Sequence, residues 1–497
     1  MPARTAEGVR DVAVVDVGSN SVRLVTYRLE GRAIWTVYNE KVLAGLGRDI
    51  GETGRLSPEG VEAAMDALRR FRAVIDGVQP HEVYVAATAA VRDAADGPAF
   101  VERVRREAGL DIRVITGREE ARYSALGVVA GYPKARGVVG DLGGASLELV
   151  RVEKDEPGDG VTLPLGPFSQ GTNRFDPGRS RAMALETLEK ARRFATDSFH
   201  AVGGAWRSLA LLHMTLQDYP LKIVHQYEIG ASQTLDLCRF VAKQSRASLE
   251  RIPGLSRKRA DVLPWAAVVL GAVIETLAAK RVTFSAYGLR EGLLYDGMPP
   301  ELRELDPLVE GCAALGRRQG VIPELGPALA GWLRPAFEDL EPVFGAHLDG
   351  VLLEAACRLA DVGARLHPEH RAALAFTQVL HAPIAGQGHA QRAFLAAAVF
   401  ARYGGAGATP EEKTVRRLLD KRTADRARVL GLAMRLGADL AGRAPAPLTD
   451  SALELGKDRM VITAARDRAD ILLGEQTAKR AGALADALGV RVELRTA

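Results

Sequence analysis

Near the start of the chain apolar residues run unbroken from Val12 to Val15, and from Val22 onward they alternate with polar ones. That pattern predicts a strand, a tight turn and a second strand. It returns at Val138–Val139 and after Ser146. The two turns also match residue by residue: Asp16-Val-Gly-Ser-Asn-Ser-Val-Arg-Leu-Val25 and Asp141-Leu-Gly-Gly-Ala-Ser-Leu-Glu-Leu-Val150 both read D-h-G-x-x-S-h-x-L-V, where h is apolar. The copies stand 125 positions apart, about the length of one domain. Two similar α/β domains are expected, each presenting one turn to a shared cleft.

Between the copies, Ser57-Pro58-Glu59 carries the N-cap and first-turn proline of a helix, with Val61, Ala64, Met65, Leu68, Phe71 and Ile75 at helical spacing. A strand over 83–87, a helix from Thr88 through Val104, a strand over 112–115 and a helix opening at Thr116-Gly-Arg-Glu-Glu120 complete the first domain. The strand-to-helix turns at 88–92 and 116–120 fall on the carboxyl edge of the sheet, where open α/β sheets bind ligands. The second copy extends to about Gly297, with a loop at 202–206, a helix over 263–279 and a strand over 282–286. Residues 301–440 are rich in Ala, Leu and Arg without two-residue alternation, which predicts helices, one starting at the capping box Thr409-Pro-Glu-Glu412. After the linker 443–448, strands within 453–463, a helix over 477–488 and a strand over 490–494 predict a small α+β tail. The division expected is therefore 1–134, 135–300, 301–443 and 444–497.

Composition narrows the class. At roughly 150 residues per domain, 497 residues accommodate three or four packed units. With 47% hydrophobic and 26% charged residues, disorder and a membrane bundle are both excluded. The net charge is +4 and no basic tail advertises nucleic acid. Cys238, Cys312 and Cys357 are scattered and form no metal motif, which favours a reducing cytoplasm. The first ten residues lack a signal peptide's apolar run, and the longest such run, Pro264 to Ile274, falls short of the roughly 20 residues of a spanning helix. A soluble, cytoplasmic protein is expected.

The turns themselves indicate chemistry. Glycines let the backbone approach a ligand, successive amide groups form an anion nest, and serine adds a hydroxyl donor. A leading aspartate beside such a nest makes sense where it holds a hard cation such as Mg²⁺, or a water, against phosphate oxygens.

Five segments in order, Asp16-Val-Gly-Ser-Asn-Ser21, Ala87-Thr-Ala-Ala-Val-Arg92, Gly117-Arg-Glu-Glu-Ala-Arg122, Asp141-Leu-Gly-Gly-Ala-Ser-Leu-Glu148 and Gly288-Leu-Arg-Glu-Gly292, resemble the exopolyphosphatase and guanosine pentaphosphate phosphohydrolase family. That family belongs to the superfamily of duplicated ribonuclease H-like ATPase domains shared with actin, sugar kinases and heat-shock ATPases. The resemblance implies two actin-like α/β domains, then an all-helical domain like the metal-dependent HD phosphohydrolases and the small α+β tail. It implies hydrolysis of a terminal phosphoanhydride, releasing orthophosphate from inorganic polyphosphate or from guanosine pentaphosphate. It assigns Glu120 as the base that activates water and Asp141 and Glu148 as carboxylates for Mg²⁺ or another divalent cation, with Asp16 nearby. Ser19, Asn20, Ser21, Gly143, Gly144, Ala145 and Ser146 would face the terminal phosphates, with Arg92 as a bidentate clamp. A homodimer is expected from the resemblance alone.

Glu119 is expected to be a solvated neighbour of Glu120, and Arg290 with Glu291 an ion pair closing the second domain. Two departures from the family pattern stand out. Ala145 replaces a third glycine, so its position must tolerate a Cβ. Trp206 stands in the loop where a nucleotide kinase seats adenosine, which argues against ATP. In the helical region His367, His370, His381 and His389 lie close in sequence, but the His-Asp doublet of HD enzymes is missing and the nearest segment reads Leu359-Ala-Asp361-Val. The stretch from Lys413 to Arg428 carries seven basic and two acidic residues, either a solvated helix face or a wall for a long polyanion. The reading is a metal-dependent exopolyphosphatase. Its rivals are a guanosine pentaphosphate hydrolase, a (p)ppGpp-binding regulator with little turnover, which would not need Glu120, and a kinase of the same superfamily.

Overall fold

The computed structural model describes residues 8–170, 175–252, 260–405 and 407–497. The N-terminal residues 1–7, read above as free of a leader, lie outside the described residues. The chain divides into two compact units, 1–303 and 304–497.

In the first unit, β1 (Val9–Val17), β2 (Val22–Glu30), β3 (Ala33–Val42), β4 (Glu82–Ala87) and β5 (Arg113–Val114) form a sheet of order β3-β2-β1-β4-β5. The second sheet comprises β6 (Gly137–Leu142), β7 (Leu147–Glu153), β8 (Glu156–Leu163), β9 (Ser198–Val202), β10 (Tyr227–Gly230) and β11 (Arg281–Phe284), in the order β8-β7-β6-β9-β11 with β10 added at the edge. β1 pairs antiparallel with β2 and parallel with β4, and β6 does the same with β7 and β9. This is the duplicated, actin-like architecture.

The unbroken apolar run in β1 follows from cover on both faces. Val12 and Val14 enter one core, while Ala13, Val15 and Val17 enter another. The second sheet divides in the same way, with Val139, Val150 and Val152 facing the core of Val12 and Val14, and Val138, Leu147 and Leu149 facing a third core. A middle layer thus lies between the two sheets. It contains the helices Gly117–Gly131 and Leu289–Asp296, which cross at backbone contact. A Cβ at Gly127 would stand 2.1 Å from the Gly288 carbonyl oxygen, and one at Gly292 would stand 1.8 Å from that of Tyr123.

Some local expectations shift. The helix expected from Thr88 to Val104 is two helices, Ala89–Asp93 and Gly97–Ala108, separated where the Asp96 carboxylate accepts the Leu56 amide. Glu119 is no solvated bystander, because it closes a capping box with Thr116 and pairs with Arg113.

The second unit packs helices Pro307–Arg318, Leu325–Glu338, Ala346–Arg358, Arg371–His381, His389–Arg402 and Lys421–Leu440, followed by helix Glu475–Leu488 and a three-stranded sheet of β12 (Ser451–Leu455), β13 (Arg459–Ala464) and β14 (Arg491–Thr496). The capping box expected at Thr409 does not form. The helix begins at Glu412 behind Glu411, whose carboxylate pairs with His381 at 2.8 Å and accepts the Thr414 hydroxyl. Within the basic stretch, Arg422 and Arg426 donate to the Glu341 carbonyl, so part of its charge is spent fastening a neighbouring loop. His367, Glu369 and His370 bring ligand atoms within 4.8 Å of one another, all exposed. No helix among the described residues is long and apolar enough to cross a membrane.

Candidate active site

Both hairpin turns close with the same bond, Gly18 N–H to Ser21 O at 3.0 Å and Gly143 N–H to Ser146 O at 2.9 Å. The carbonyls at the tips are then engaged by amides of a following loop: Gly47 and Gly45 donate to Ser19 and Asn20, Phe168 and Gly166 to Gly144 and Ala145. Among the described residues the tip amides of Ser19, Asn20, Gly144 and Ala145 have no protein acceptor, as an anion nest requires. The tips meet at Gly144, where a Cβ would lie 2.8 Å from that of Ser19. Close approach of the hairpins is thus what glycine serves there. Ala145 has a negative φ, so its Cβ fits without strain.

A cavity of about 540 Å³ opens between the turns. Its lining contains Ser19, Asn20, Ser21, Gly143, Gly144, Ala145 and Ser146 together with Asp16, Glu120 and Asp141. Glu148 and Arg92 do not line it. Glu148 is 1% exposed just behind, with neither carboxylate oxygen in a hydrogen bond. Arg92 donates to Glu120 at 3.1 Å, to the Ile115 carbonyl and to Asp93. The expected phosphate clamp is therefore a guanidinium committed to Glu120 and to its own neighbourhood.

The carboxylates are electrostatically uneasy. Burial pushes Glu120 up to about 7, against the lowering influence of Arg92 and with help from the charges of Asp141 and Asp16. Burial and the charge of Glu120 hold Glu148 well above the carboxylate range. Asp141 is raised by burial, opposed by the Ser124 hydroxyl that donates to it. No three of these carboxylates bring oxygens within 4.8 Å of one another. The residues nevertheless suit a divalent cation, because two fully buried oxygens on Glu148 beside Asp141, relieved in part by the Ser146 hydroxyl but without a well-formed hydrogen bond, cost several kcal/mol when ionised unless a positive charge meets them.

Among the described residues, four cations line the cavity to which the sequence motifs assign no role there: Arg23, Lys41, Arg207 and Arg290. Burial, reinforced by Arg290 and Arg207, lowers Arg23 to about 10. Arg290 donates to Asp16 at 3.2 Å, while Glu291 accepts from Tyr27 at 2.7 Å and from the Gly288 amide. The expected Arg290–Glu291 ion pair is thus replaced by one that joins the two halves, and Asp16 has an arginine partner besides its place near the other carboxylates. The signal for Arg23 was present, since it occupies in the first copy of the repeat the position that Glu148 holds in the second.

Trp206 is fully buried, donates to the Ala266 carbonyl and packs on Phe199. It faces the core and does not line the cavity, so the case it made against ATP falls away.

Residues 25–301 match the Ppx/GppA phosphatase family, and residues 345–495 match the family described as exopolyphosphatase, C-terminal. The crystal structure of the Aquifex aeolicus member of the Ppx/GppA protein family is 28% identical, with a TM-score of 0.52, over 58% of this chain and 97% of that one. An exopolyphosphatase-like protein is 25% identical over 58% and 98% of the two chains, with a TM-score of 0.53. An exopolyphosphatase from Cytophaga hutchinsonii, 24% identical over 58% of this chain and 99% of its own with a TM-score of 0.54, shares the fold.

Proposed function

Because the chain belongs to the Ppx/GppA phosphatase family, we propose that its cavity hydrolyses the terminal phosphoanhydride of inorganic polyphosphate, with Glu120 as general base. The observation that carries this reading is the pairing of a carboxylate raised to about 7 with cations from both halves in one cavity: Arg23 and Lys41 from the first, Arg207 and Arg290 from the second.

The tip amides and the hydroxyls of Ser19, Ser21 and Ser146 bind the oxygens of the terminal phosphate, and Arg23 and Arg207 oppose its charge. Glu120 accepts a proton from the attacking water as its oxygen bonds to phosphorus. The bridging P–O bond breaks, orthophosphate leaves, and the shortened chain keeps the bridging oxygen. Arg92 holds the Glu120 carboxylate in orientation. Asp141 and Glu148 would hold a divalent cation, which when bound supplies neutralisation of charge on the transferring phosphoryl group.

Cations distributed over both halves suit a substrate charged along its length. A guanine would need an apolar seat, and Phe168 is the single aromatic residue among the described residues lining the cavity. The test is orthophosphate release from long polyphosphate, short polyphosphate and guanosine pentaphosphate, with Mg²⁺ or EDTA, by the native protein and Glu120→Ala. The reading expects preference for polyphosphate, dependence on the cation and a loss of about 10²–10⁴ in kcat for the variant. Unimpaired turnover in Glu120→Ala removes the base. Preference for the nucleotide moves the substrate to guanosine pentaphosphate, and binding without release moves the function to a regulator.

A further inference from the structure

A second cavity, of about 450 Å³, lies wholly within the unit 304–497 and takes no part in the chemistry above. Its walls carry Arg371, Arg402, Arg435, Arg443 and Arg480, with Tyr403. They come from separate parts of the fold: Arg371 and Arg402 from the ends of helices Arg371–His381 and His389–Arg402, Arg435 from Lys421–Leu440, Arg443 from the turn after it, and Arg480 from Glu475–Leu488. Among the described residues two carboxylates answer the five guanidinium groups. Asp439 is bound by Arg480 at 2.7 Å, and Asp361 stands 3.4 Å from Arg443.

Arg402 is the most confined of the five, at 3% exposure. Its ion-pair distances to Asp361 and Asp439 are 3.7 and 3.8 Å, and its Nε and Nη2 are buried without a hydrogen-bond partner. The oxygen of Asp361 that faces it likewise lacks a hydrogen bond, its contacts with Arg443 and Arg402 being ion pairs at 3.4 and 3.7 Å. Burial works against the charge of Arg402, with Arg443 adding to the effect. Arg435 is disfavoured in the same way by burial and by Arg480 and Arg402. The Tyr403 ring lies under both Arg402 and Arg371, at 5.1 and 5.7 Å, and its hydroxyl accepts the Gly363 amide.

A network built only for stability would pair its charges and hydrogen bonds, because an unpaired buried guanidinium is costly. This one has three positive charges in excess and open donors on its most buried member. Guanidinium forks match phosphate oxygens two at a time. A single phosphate brings about two negative charges, so the excess suits two linked phosphates better than one. We propose that the cavity is an anion site for a diphosphate group, free or at the end of a nucleotide, separate from the hydrolytic cleft.

Hydrogen–deuterium exchange of the full chain tests this with inorganic pyrophosphate or guanosine diphosphate, each against sodium chloride at equal ionic strength. The variant is Arg435→Gln with Arg443→Gln, both partly exposed, leaving the buried Arg402 in place. The site predicts protection of peptides covering 398–405 and 433–444, weakened about tenfold or more in the variant. The hairpin peptides 16–21 and 141–146 should respond alike in both proteins. The ligand that protects at lower concentration identifies the source. Absence of protection by both ligands, or equal protection in the variant, overturns the proposal. Cleft and second cavity are read on different peptides of one sample, so failure of either leaves the other standing.

Discussion

The two hairpins share a backbone and differ at one decisive register position. In the first, Asp16 lies across from Arg23; in the second, Asp141 lies across from Glu148. The turns close with the same bond, and their tip carbonyls are covered by amides of a following loop in both copies. At the position opposite the aspartate the sign of the side chain is reversed. The first wall thus gathers Arg23, with Arg290 drawn in by Asp16, and is suited to an anion. The second gathers the buried Glu148 and the partly exposed Asp141 and is suited to a cation. The proposed site for a polyanion and its counter-cation would require both, and a duplicated fold with one such difference offers them.

The largest expected effect comes from neutralising the cation wall. Glu148→Gln should lower kcat by at least about a hundredfold and abolish stabilisation by Mg²⁺, measured as phosphate release and as Tm with and without EDTA. In EDTA the same variant should be more stable than the native protein. The raised pKa of Glu148 means that its ionised form costs stability, increasingly so as pH rises above the ordinary carboxylate range. A Mg²⁺ shift that survives in Glu148→Gln would break the comparison.

Neutralising the anion wall should act differently. Arg23→Met removes a charge-assisted contact worth a factor of about 10–100, expressed in KM for polyphosphate with kcat changed less; steady-state kinetics at several chain lengths checks the split. The carboxylate shared by both walls sets the pH response. Glu120 must be ionised to accept a proton, so with a value of about 7 activity should fall about tenfold from pH 8 to pH 6. Because Arg92 lowers Glu120, Arg92→Met should move that limb to higher pH. The smallest effect belongs to the tip where the copies differ in side chain alone: Ala145→Gly should change kcat/KM by less than about twofold, since Ala145 already adopts an ordinary φ.

Much of the fold was legible because the hairpins repeat over adjacent positions and the sheets bury both faces. Glu120, Asp141 and the turn residues were legible because they sit within ordered motifs. Arg23 was overlooked although it aligns with Glu148 in the repeat, since an arginine in an alternating strand resembles any solvent-facing residue. The Asp16–Arg290 pair spans 274 positions and is made by the packing of the two halves, which local pattern does not encode. Trp206 was misjudged because a loop reading could not tell which side of the helix Gly204–Leu216 turns inward. Arg92 matched its motif, yet its role depends on the 3.1 Å contact with Glu120.

The glycine crossing in the middle layer works like a machinist's gauge block. Glu120 rides on one of the crossing helices and Arg290 on the other, and backbone rests on backbone between them. A spacing held by side chains can drift as those side chains are exchanged and repacked. Here there is no side chain to exchange: anything larger than glycine at 127 or 292 must part the helices, and it moves Glu120 relative to Arg290. The distance between Glu120 and Arg290 is therefore carried by two residues that do not line the cavity, and a survey of variants that score only contact with a ligand would pass them over.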